Sequence, residues 1–403
     1  MTTTTSAITA VPSDVIRIYQ SMSALALEMG AVNLAQGVPE PVHDDTWRAA
    51  LAAALPTAHF QYTPTRGTPA LRGAIGGIYD ADPDRIIVTS GCTESLAAAL
   101  SGLARTGHRT VVWLEPFYSY YPGLARIAGL DHRGVAIDLS GPTPRLDLDG
   151  LRATLAPFGE RAVLLLNTPH NPSGLVLHGR DWADLRRLVA DTGCFLLLDD
   201  AYRDFRYGPS PAPYAALLAT GRAAIAGSAS KSFAATGIRL GWLLAPQELG
   251  PVAESVHMHL SNCTPDLVQQ AAVRVIEQVT PDVVAQVRDR YRRKRDALLT
   301  ALTAAGLRTL TPAGGHFVMA RPPDGGSWRT GTDYALALAP ALGVVPLPLE
   351  SFFAAPGPPW LRFSFAVSED DLATACRRLS RQERTGHQGT GHGGPDTWGR
   401  GVK

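Results

Sequence analysis

The sequence has few cysteines, the residues that build disulfide frameworks and many structural metal sites. Its four cysteines, Cys92, Cys194, Cys263 and Cys376, lie far apart and form no C-x-x-C motif. This spacing argues against a metal site and against a disulfide framework, and it fits a reducing compartment. We therefore expect four free thiols and no metal.

The chain also lacks a charge excess, a long apolar run and an export signal. Its 37 basic and 36 acidic side chains give a formal net charge of +1, so nothing indicates a nucleic acid or an anionic membrane surface as a partner. The N-terminal stretch MTTTTSAITAVPS contains neither a basic segment nor an apolar one, and no apolar run reaches the length of a membrane span. These absences predict a cytoplasmic protein that binds neither nucleic acid nor membrane.

With 403 residues, of which 45% are hydrophobic, the chain is long enough for two or three domains with a substantial core. Residues 1–13 are polar and rich in threonine, and residues 382–403 are rich in glycine and polar side chains. The first segment is predicted to be a flexible arm and the second a disordered tail. The tail histidines, His387 and His392, fit a solvated tail better than a metal site.

Short apolar runs alternate with helical patterns through the first two thirds of the chain. Six runs end in small or polar residues: 85–90, 110–115, 162–167, 194–200, 223–228 and 241–245. Such runs are typical of strands that are buried on both faces of a sheet. Because helical stretches such as 93–107 and 180–193 separate them, the pattern predicts an α/β fold with a mostly parallel sheet between helices.

After about residue 265 the pattern changes. A long amphipathic helix is predicted at 281–306, followed by short strands and a last helix at 368–380. We interpret this part as a second, α+β domain.

Polar residues that follow the apolar runs should converge, because ligands of parallel sheets bind beyond the carboxyl ends of the strands. Gly91 follows the first run and starts a helix in GCTESLAAAL, whose first N–H groups could bind phosphate. The same stretch also fits a plain helix start, with Thr93 as N-cap and Glu94 favourable to the helix dipole. Asn171, in TPHNPSG, offers an amide that donates and accepts, although a plain turn explains this segment equally well by itself.

The run CFLLLDDAY places an acid, Asp199, at the end of a strand and Tyr202 three residues later. A carboxylate at the ligand edge of a sheet needs a cationic or donor partner. Asp200 is the alternative acid, although its position fits a solvated or capping role better.

Lysine is scarce, and only two other lysines accompany Lys231. Lys231 lies among small residues in GSASKSFAATGIRLGW, after Ser228 and Ser230 and eight residues before Arg239. Two hydroxyls and a guanidinium suit a phosphate dianion. A lysine in an enclosed crevice can be desolvated, have its pKa lowered and form a Schiff base with a carbonyl. The stretch therefore predicts a site for a phosphorylated aldehyde that bonds to Lys231.

Together these motifs resemble the class I/II aminotransferases of fold type I, which use pyridoxal 5′-phosphate. The resemblance rests on S-x-S-K followed by G-x-R-x-G, with N-P-S-G and D-x-x-Y upstream, and it extends from about residue 32 to 380. The segments AVNLAQGVPEP, QYTPTRGTPALRGAI and EPFYSYYPG are most similar to the kynurenine/glutamine aminotransferase and cysteine-conjugate β-lyase branch. One departure is the short link at 72–90, which would change the local wall of the site.

The resemblance implies roles for these residues around the cofactor. Lys231 would form the internal aldimine and, once released by substrate, move the proton between the substrate Cα and the cofactor C4′. Asp199 would pair with the protonated pyridine nitrogen, and Asn171 and Tyr202 would hydrogen-bond the ring hydroxyl oxygen.

The ring and the phosphate would have further partners. Tyr118 would stack on the ring face, with Phe117 as the competing candidate. The resemblance implies that the phosphate is held at the turn after Gly91 by backbone N–H groups of Cys92 and Thr93, by Ser228, Ser230 and Arg239, and by Tyr62 from a second subunit.

Substrate recognition is implied for the motif W-L-R-F-S-F. Its Arg362 would hold the substrate α-carboxylate through a bidentate pair, with Gly37 and Asn171 beside that carboxylate. No second arginine is clearly placed for a dicarboxylate side chain, so aspartate and glutamate are not favoured as the main donor. Arg66 and His316 could line the pocket.

The resemblance thus implies a fold type I homodimer. Its large domain, 38–270, would contain a mostly parallel seven-stranded sheet, and residues 14–37 and 271–381 would form the small domain. The expected reaction is ping-pong transamination between an L-α-amino acid and a 2-oxo acid. The alternatives are a pyridoxal-phosphate lyase or other amino-acid-modifying enzyme of secondary metabolism, and a non-catalytic regulatory module. The last normally needs a DNA-binding domain ahead of it, whereas about thirty residues precede Q-G-V-P.

Overall fold

A seven-stranded sheet forms the centre of the structure, a computed structural model that describes residues 14–323, 328–355 and 357–380. The first strand of the chain, β1 (Val32–Asn33), lies outside this sheet. The sheet consists of β2 (Ile86–Thr89), β3 (Thr110–Glu115), β4 (Asp131–Ala136), β5 (Ala162–Asn167), β6 (Phe195–Asp199), β7 (Ala223–Ser228) and β8 (Gly241–Leu244). Their spatial order is β2-β8-β7-β6-β5-β3-β4, and within this sheet only β8 runs antiparallel to its neighbours.

The predicted α/β fold class is confirmed. Each of the six apolar runs forms a strand, and β2, β5, β6, β7 and β8 are buried along their whole length. The seventh strand, β4, was not among the predicted runs, because it lies at the edge of the sheet and most of its residues are exposed.

Helices cover both faces of this sheet. In chain order the helices are α1 (Asp14–Glu28), α2 (Asp44–Ala54), α3 (Pro69–Tyr79), α4 (Cys92–Arg105), α5 (Tyr121–Ala128), α6 (Leu148–Leu155), α7 (Gly179–Thr192), α8 (Tyr214–Leu218), α9 (Ala229–Ser232), α10 (Gly250–Leu260), α11 (Asp266–Gln278), α12 (Pro281–Ala304), α13 (Gly331–Leu342) and α14 (Glu369–Ser380). The four helices predicted from sequence correspond to α4, α7, α12 and α14. Two hydrophobic cores, one on each face, hold helices α2 through α11 to the sheet, whereas the buried residues of α1, α12, α13 and α14 belong to a third core.

A third hydrophobic core joins the start of the chain to its last third. It surrounds a four-stranded sheet of β9 (Arg308–Thr309), β10 (Phe317–Arg321), β12 (Leu347–Pro348) and β13 (Leu361–Ser364). Strand β11 (Val344–Val345) pairs in parallel with β1 and so fixes the N-terminal segment to this part. The domain division at residues 37 and 270 stays a prediction, and the predicted arm and tail lie outside the described residues.

The short link at 72–90 contains most of α3 and a single 3-10 turn before β2. Helix α3 begins after Thr68, whose hydroxyl accepts a hydrogen bond from Leu71 N, and it ends at Asp80 in the left-handed conformation, with φ 50°. Within the described ranges, no helix is long and apolar enough to cross a membrane.

Candidate active site

A cavity of about 520 Å³ opens at the carboxyl ends of the central strands. Most of the residues singled out from the sequence line it: Gly37, Cys92, Thr93, Tyr118, Asn171, Asp199, Tyr202, Ser228, Ser230, Lys231, Arg239 and Arg362. Nine of them end or follow β2, β3, β5, β6 or β7, and Arg239 lies just before the antiparallel strand β8. The central sheet brings these ten together as the strand-end argument predicted. Gly37 comes from the N-terminal segment and Arg362 from β13 of the smaller sheet.

Lys231 lies in the short helix α9, directly after β7, and its side chain reaches into the cavity. Its Nζ donates a hydrogen bond of 2.8 Å to the carbonyl oxygen of Gly37 and lies 5.9 Å from the centre of the Tyr202 ring. Burial, helped by the positive charge of Arg362, lowers the pKa of Lys231 to about 8. At pH 7 about a tenth of this amine is therefore uncharged, and so nucleophilic, far more than for an exposed lysine.

Asp199 ends β6 and is only 4% exposed. Its Oδ2 accepts a 2.6 Å hydrogen bond from the Tyr121 hydroxyl, and its Oδ1 accepts one of 3.1 Å from Ala201 N. Burial raises the pKa of Asp199, and these hydrogen bonds oppose that shift. Among the described residues no basic side chain forms an ion pair with it, so a cation in the cavity would stabilise this carboxylate.

Asp200 is not part of the cavity. Its side chain is buried and its Oδ1 lies 3.1 Å from Arg206 Nη2. Burial raises the pKa of Asp200 to about 6 against the attraction of Arg206. The interpretation of Asp200 as a solvated or capping residue was therefore wrong, because successive residues of an extended chain point to opposite sides and the far side is filled by this arginine.

Gly91 is the N-cap of α4, so Thr93 lies inside the helix and is not its cap. Gly91 has φ 102°, and a Cβ there would come within 2.4 Å of Arg239 Nη2. Only glycine combines this backbone conformation with such a close approach. Cys92 and Thr93 follow as the first residues of α4, where N–H groups have no partner within the helix.

Arg239 faces the same end of the cavity. Its Nη1 and Nη2 donate to the carbonyl oxygens of Thr236 and Ser90, at 3.0 and 3.2 Å, and so hold the guanidinium against the turn before α4. Ser228 and Ser230, each with a hydroxyl, also line the cavity. This end of the cavity therefore collects donors for an anion.

Arg362, in β13, approaches from the opposite side and is 2% exposed. Its Nη1 donates to Asn171 Oδ1 at 3.0 Å and its Nη2 to the carbonyl oxygen of Ala35 at 2.9 Å. The guanidinium lies over the ring of Phe317, 4.0 Å from its centre. Its Nε is buried and has no partner among the described residues, which leaves a donor for a carboxylate.

The structure separates the two candidates for a stacking aromatic residue. Tyr118 lines the cavity. Phe117 lies in the core, with its ring centre 5.5 Å from that of Trp113. Tyr62 is 84% exposed and does not line the cavity of its own chain.

Two further expectations were wrong, because neither Arg66 nor His316 lines the cavity. Arg66 pairs with Glu254 at 3.5 Å. His316 is fully buried among aromatic rings and stacks on Tyr291 with centroids 4.7 Å apart. Burial lowers the pKa of His316 well below its usual value, so its ring is neutral.

The residues missed in the sequence include Phe317 under Arg362 and three that support the polar groups of the site. Tyr121 donates to Asp199, Tyr19 of α1 lines the cavity beside Arg362, and Asn167 ends β5. Asn167 donates to the carbonyl oxygen of Asp199 at 2.9 Å and accepts from Asn171 N at 2.7 Å. The strand-end rule could have identified Asn167, whereas nothing in EPFYSYYPG distinguishes Tyr121 from its neighbours.

Comparisons with known proteins agree on one family. The family described as aminotransferase class I and II matches residues 30–379. A probable N-succinyldiaminopimelate aminotransferase of Mycobacterium tuberculosis is 31% identical over 384 residues, 90% of this chain and 95% of that protein. The methionine aminotransferase of Escherichia coli is 32% identical over 376 residues, with the same coverage of 90% and 95%.

Solved structures support the same family. The N-succinyldiaminopimelate aminotransferase from Mycobacterium tuberculosis superposes with a TM-score of 0.83 at 30% identity, over 91% of this chain and 97% of that one. An aspartate aminotransferase mutant of Thermus thermophilus gives 0.80 at 26% identity, over 91% and 96%. These relatives do not single out the kynurenine/glutamine branch, which stays a prediction. Because the match spans nearly the whole fold, the chain belongs to the class I and II aminotransferases of fold type I, pyridoxal 5′-phosphate-dependent enzymes that transfer amino groups between amino acids and oxo acids.

Proposed function

We propose that this cavity performs ping-pong transamination between an L-α-amino acid and a 2-oxo acid, with Lys231 as the residue that carries the cofactor. The observation that supports this proposal is the set of charged groups that share the cavity with Lys231. An amine whose pKa is lowered to about 8 shares one enclosed space with the carboxylate of Asp199 and the partly unpartnered guanidinium of Arg362. Among the described residues, no other lysine lines this cavity.

The residues present fit pyridoxal phosphate. When bound, it supplies an aldehyde for an amine and a ring that accepts the electron pair of a broken substrate bond. Ser228, Ser230 and Arg239, with the first N–H groups of α4, offer donors for its phosphate. At the other end, Asp199 offers the negative charge that a protonated pyridine nitrogen needs.

In the proposed mechanism Lys231 Nζ takes the proton from the substrate Cα as a free amine and holds it for return. The carbonyl oxygen of Gly37, 2.8 Å away, stabilises the protonated form. A pKa of about 8 suits a group that must gain and lose a proton near neutral pH. Tyr202 and Asn171 would hydrogen-bond the ring hydroxyl oxygen, and Tyr118 would stack on the ring.

Arg362 would bind the substrate α-carboxylate. Its hydrogen bonds to Asn171 and to the Ala35 carbonyl fix the plane of the guanidinium, and Phe317 supports it from one face. The Nε–H, which has no partner in the described ranges, and the remaining Nη hydrogens are then left for a carboxylate in a fork arrangement. This geometry favours free α-amino acids over simple amines.

We further propose that the enzyme is a homodimer in which Tyr62 reaches the phosphate of the partner's site. Tyr62 does not line its own cavity and is 84% exposed, and Phe60, two residues earlier, is 79% exposed. The segment that carries them is held in place, because His59 N donates to Asp266 Oδ2 at 2.8 Å. An ordered segment with two exposed aromatic residues fits a subunit interface.

The test is a single half-reaction. The loaded enzyme is mixed with one amino acid and no oxo acid, and the keto product is counted by mass spectrometry. We expect one equivalent of 2-oxo acid per site, followed by return of the starting spectrum when a 2-oxo acid is added. Continuous release of ammonia without an oxo acid would instead support a lyase and overturn the proposal. Lys231→Ala is the control and should yield no product.

A further inference from the structure

A buried histidine lies beneath the phosphate end of the cavity and has no part in the mechanism above. His257 of α10 has no exposed surface. Its Nδ1 lies 2.8 Å from Glu94 Oε1, and its Nε2 lies 3.1 Å from the carbonyl oxygen of Thr65. The ring therefore connects the first turn of α4 with the segment that follows Tyr62.

Both of these contacts are made to acceptors. The Ser261 hydroxyl also lies 3.3 Å from Nδ1, but it donates its hydrogen to Glu94 Oε1, so it too can only accept from the ring. A carbonyl oxygen cannot donate, and a carboxylate can donate only when it carries a proton. Glu94 also accepts hydrogen bonds from the Ser261 hydroxyl, at 2.6 Å, and from Ser90 N. Burial alone would raise the pKa of Glu94, but these hydrogen bonds and the one from His257 outweigh burial and lower it. Ser261 and Ser90 donate to Glu94 independently of His257 and favour its ionised form. Beside an ionised Glu94, both ring nitrogens of His257 face acceptors.

The negative charge of Glu94 affects the phosphate end of the cavity because Glu94 lies close to it. It is two residues after Cys92, in the first turn of the helix whose N–H groups face the phosphate end. It also holds Ser90, whose carbonyl oxygen accepts from Arg239. An unbalanced carboxylate there would repel a dianion. Arg66 and Glu254, which lie nearby, form an ion pair with each other at 3.5 Å. Among the described residues, His257 is the basic side chain that pairs with Glu94.

We propose that His257 is a positioning residue that acts as a doubly protonated cation. It cancels the charge of Glu94 beneath the phosphate end and fixes the Thr65 segment to the Ser90 turn. Its effect on cofactor binding rests on the proposed function, since it assumes that a phosphate occupies this end.

The first test measures directly whether the two ring nitrogens of His257 are protonated. The holoenzyme is labelled with ¹⁵N-histidine, and the His257 signals are identified by their loss in His257→Gln. At pH 7 both ring nitrogens should carry a proton. In Glu94→Gln, which keeps the shape, Nδ1 should lose its proton because the amide can donate to it, while Nε2 keeps its own. A neutral ring in the parent protein would overturn the proposal whether or not a cofactor is bound.

The second test measures the dissociation constant of pyridoxal phosphate. His257→Gln should weaken binding about tenfold, because it leaves the Glu94 charge unbalanced. Glu94→Gln combined with His257→Gln should bind more tightly than His257→Gln alone, since the repelling charge is gone. A purely structural role predicts the opposite, namely further weakening in the double variant, and that result would overturn the proposal.

The control is His259→Gln on the same helix. His259 is exposed, and within the described residues its Nδ1 contacts the Ser255 carbonyl oxygen alone, at 2.7 Å, so the dissociation constant should not change. If the parent protein did not bind pyridoxal phosphate at all, the proposed function would fail. The ¹⁵N measurement would still decide the charge state of His257.

Discussion

At the residue scale, the protonation of Lys231 Nζ decides when the amine can react. Its pKa is lowered to about 8 by burial first and by the charge of Arg362 second. The protonated amine dominates below pH 8, and the nucleophilic free amine dominates above it. The rate at which cofactor-free enzyme captures pyridoxal phosphate should therefore rise about tenfold for each pH unit below 8 and level off above it.

The measurement is stopped-flow absorbance across pH 6 to 10. Arg362→Met should move the midpoint to higher pH, because it removes the second cause of the shift. Lys231→Ala should show no capture. A midpoint near 10.5, the usual pKa of lysine, would contradict the account.

Two neighbouring acids allow a matched comparison. Asp199→Asn should lower kcat by about a hundredfold or more, because the charge opposite the pyridine nitrogen is lost. Asp200→Asn should leave kcat nearly unchanged but lower the free energy of unfolding by about 3 kcal/mol, because Arg206 loses its buried partner. Steady-state kinetics and denaturant unfolding separate the two effects. A catalytic loss from Asp200→Asn equal to that of Asp199→Asn would show that the wrong acid had been assigned.

Arg362 should control recognition of the α-carboxylate. Even Arg362→Lys should lower kcat/KM by about a hundredfold, because an ammonium cannot reproduce the planar donor pair. The absorbance of the bound cofactor should keep its wavelength, since the phosphate and ring contacts come from other residues. Equal activity of the parent enzyme on an amine without the carboxylate would contradict this assignment.

At the element scale, the strands could be predicted wherever both faces are buried. Burial on both faces makes β3, β5 and β7 continuous apolar runs with clear ends. Strand β4 lacks this signal because its position at the edge leaves it exposed. Strand ends also locate Asp199 and Lys231, since ligands bind there whatever the details of packing.

Pairs that depend on packing between distant segments could not be predicted. Glu94 and His257 are 163 positions apart, and nothing in either local stretch indicates a partner. The environment of Asp200 was misjudged for a related reason. Its neighbour Arg206 is close in sequence, but only the folded loop buries the two together.

An ion pair between elements should stabilise the wall of the site. Lys294 of α12 is 2% exposed and donates to Glu40, which follows the Q-G-V-P segment, and to the carbonyl oxygen of Val367 at 2.6 Å. Lys294→Met should cost about 3 kcal/mol of unfolding free energy, because it leaves Glu40 without its main cation. The control is Asp191→Asn, which breaks a half-exposed pair with Arg152 and should cost no more than about 0.5 kcal/mol. Equal costs in denaturant unfolding would contradict this role for Lys294.

At the scale of the whole molecule, the proposed homodimer shares each site between two chains. Tyr62→Phe should weaken cofactor retention in every site, because each loses one phosphate donor. Mixing subunits of Tyr62→Phe with subunits of Lys231→Ala should restore part of the activity, because one heterodimer site then has both an intact Lys231 and an intact Tyr62. Unchanged cofactor affinity in Tyr62→Phe, or no gain on mixing, would contradict a shared site.

Whether Lys231 holds the cofactor can be measured directly, because lysine is scarce in this chain. The chain contains three lysines, Lys231, Lys294 and Lys403. The loaded enzyme is reduced with borohydride and digested, and the peptide that carries the pyridoxyl group is identified by mass spectrometry. We expect one modified residue, Lys231, and no modification of Lys294 or Lys403. A pyridoxyl group on either of those lysines at the stoichiometry of the sites, or none on Lys231, would contradict this expectation.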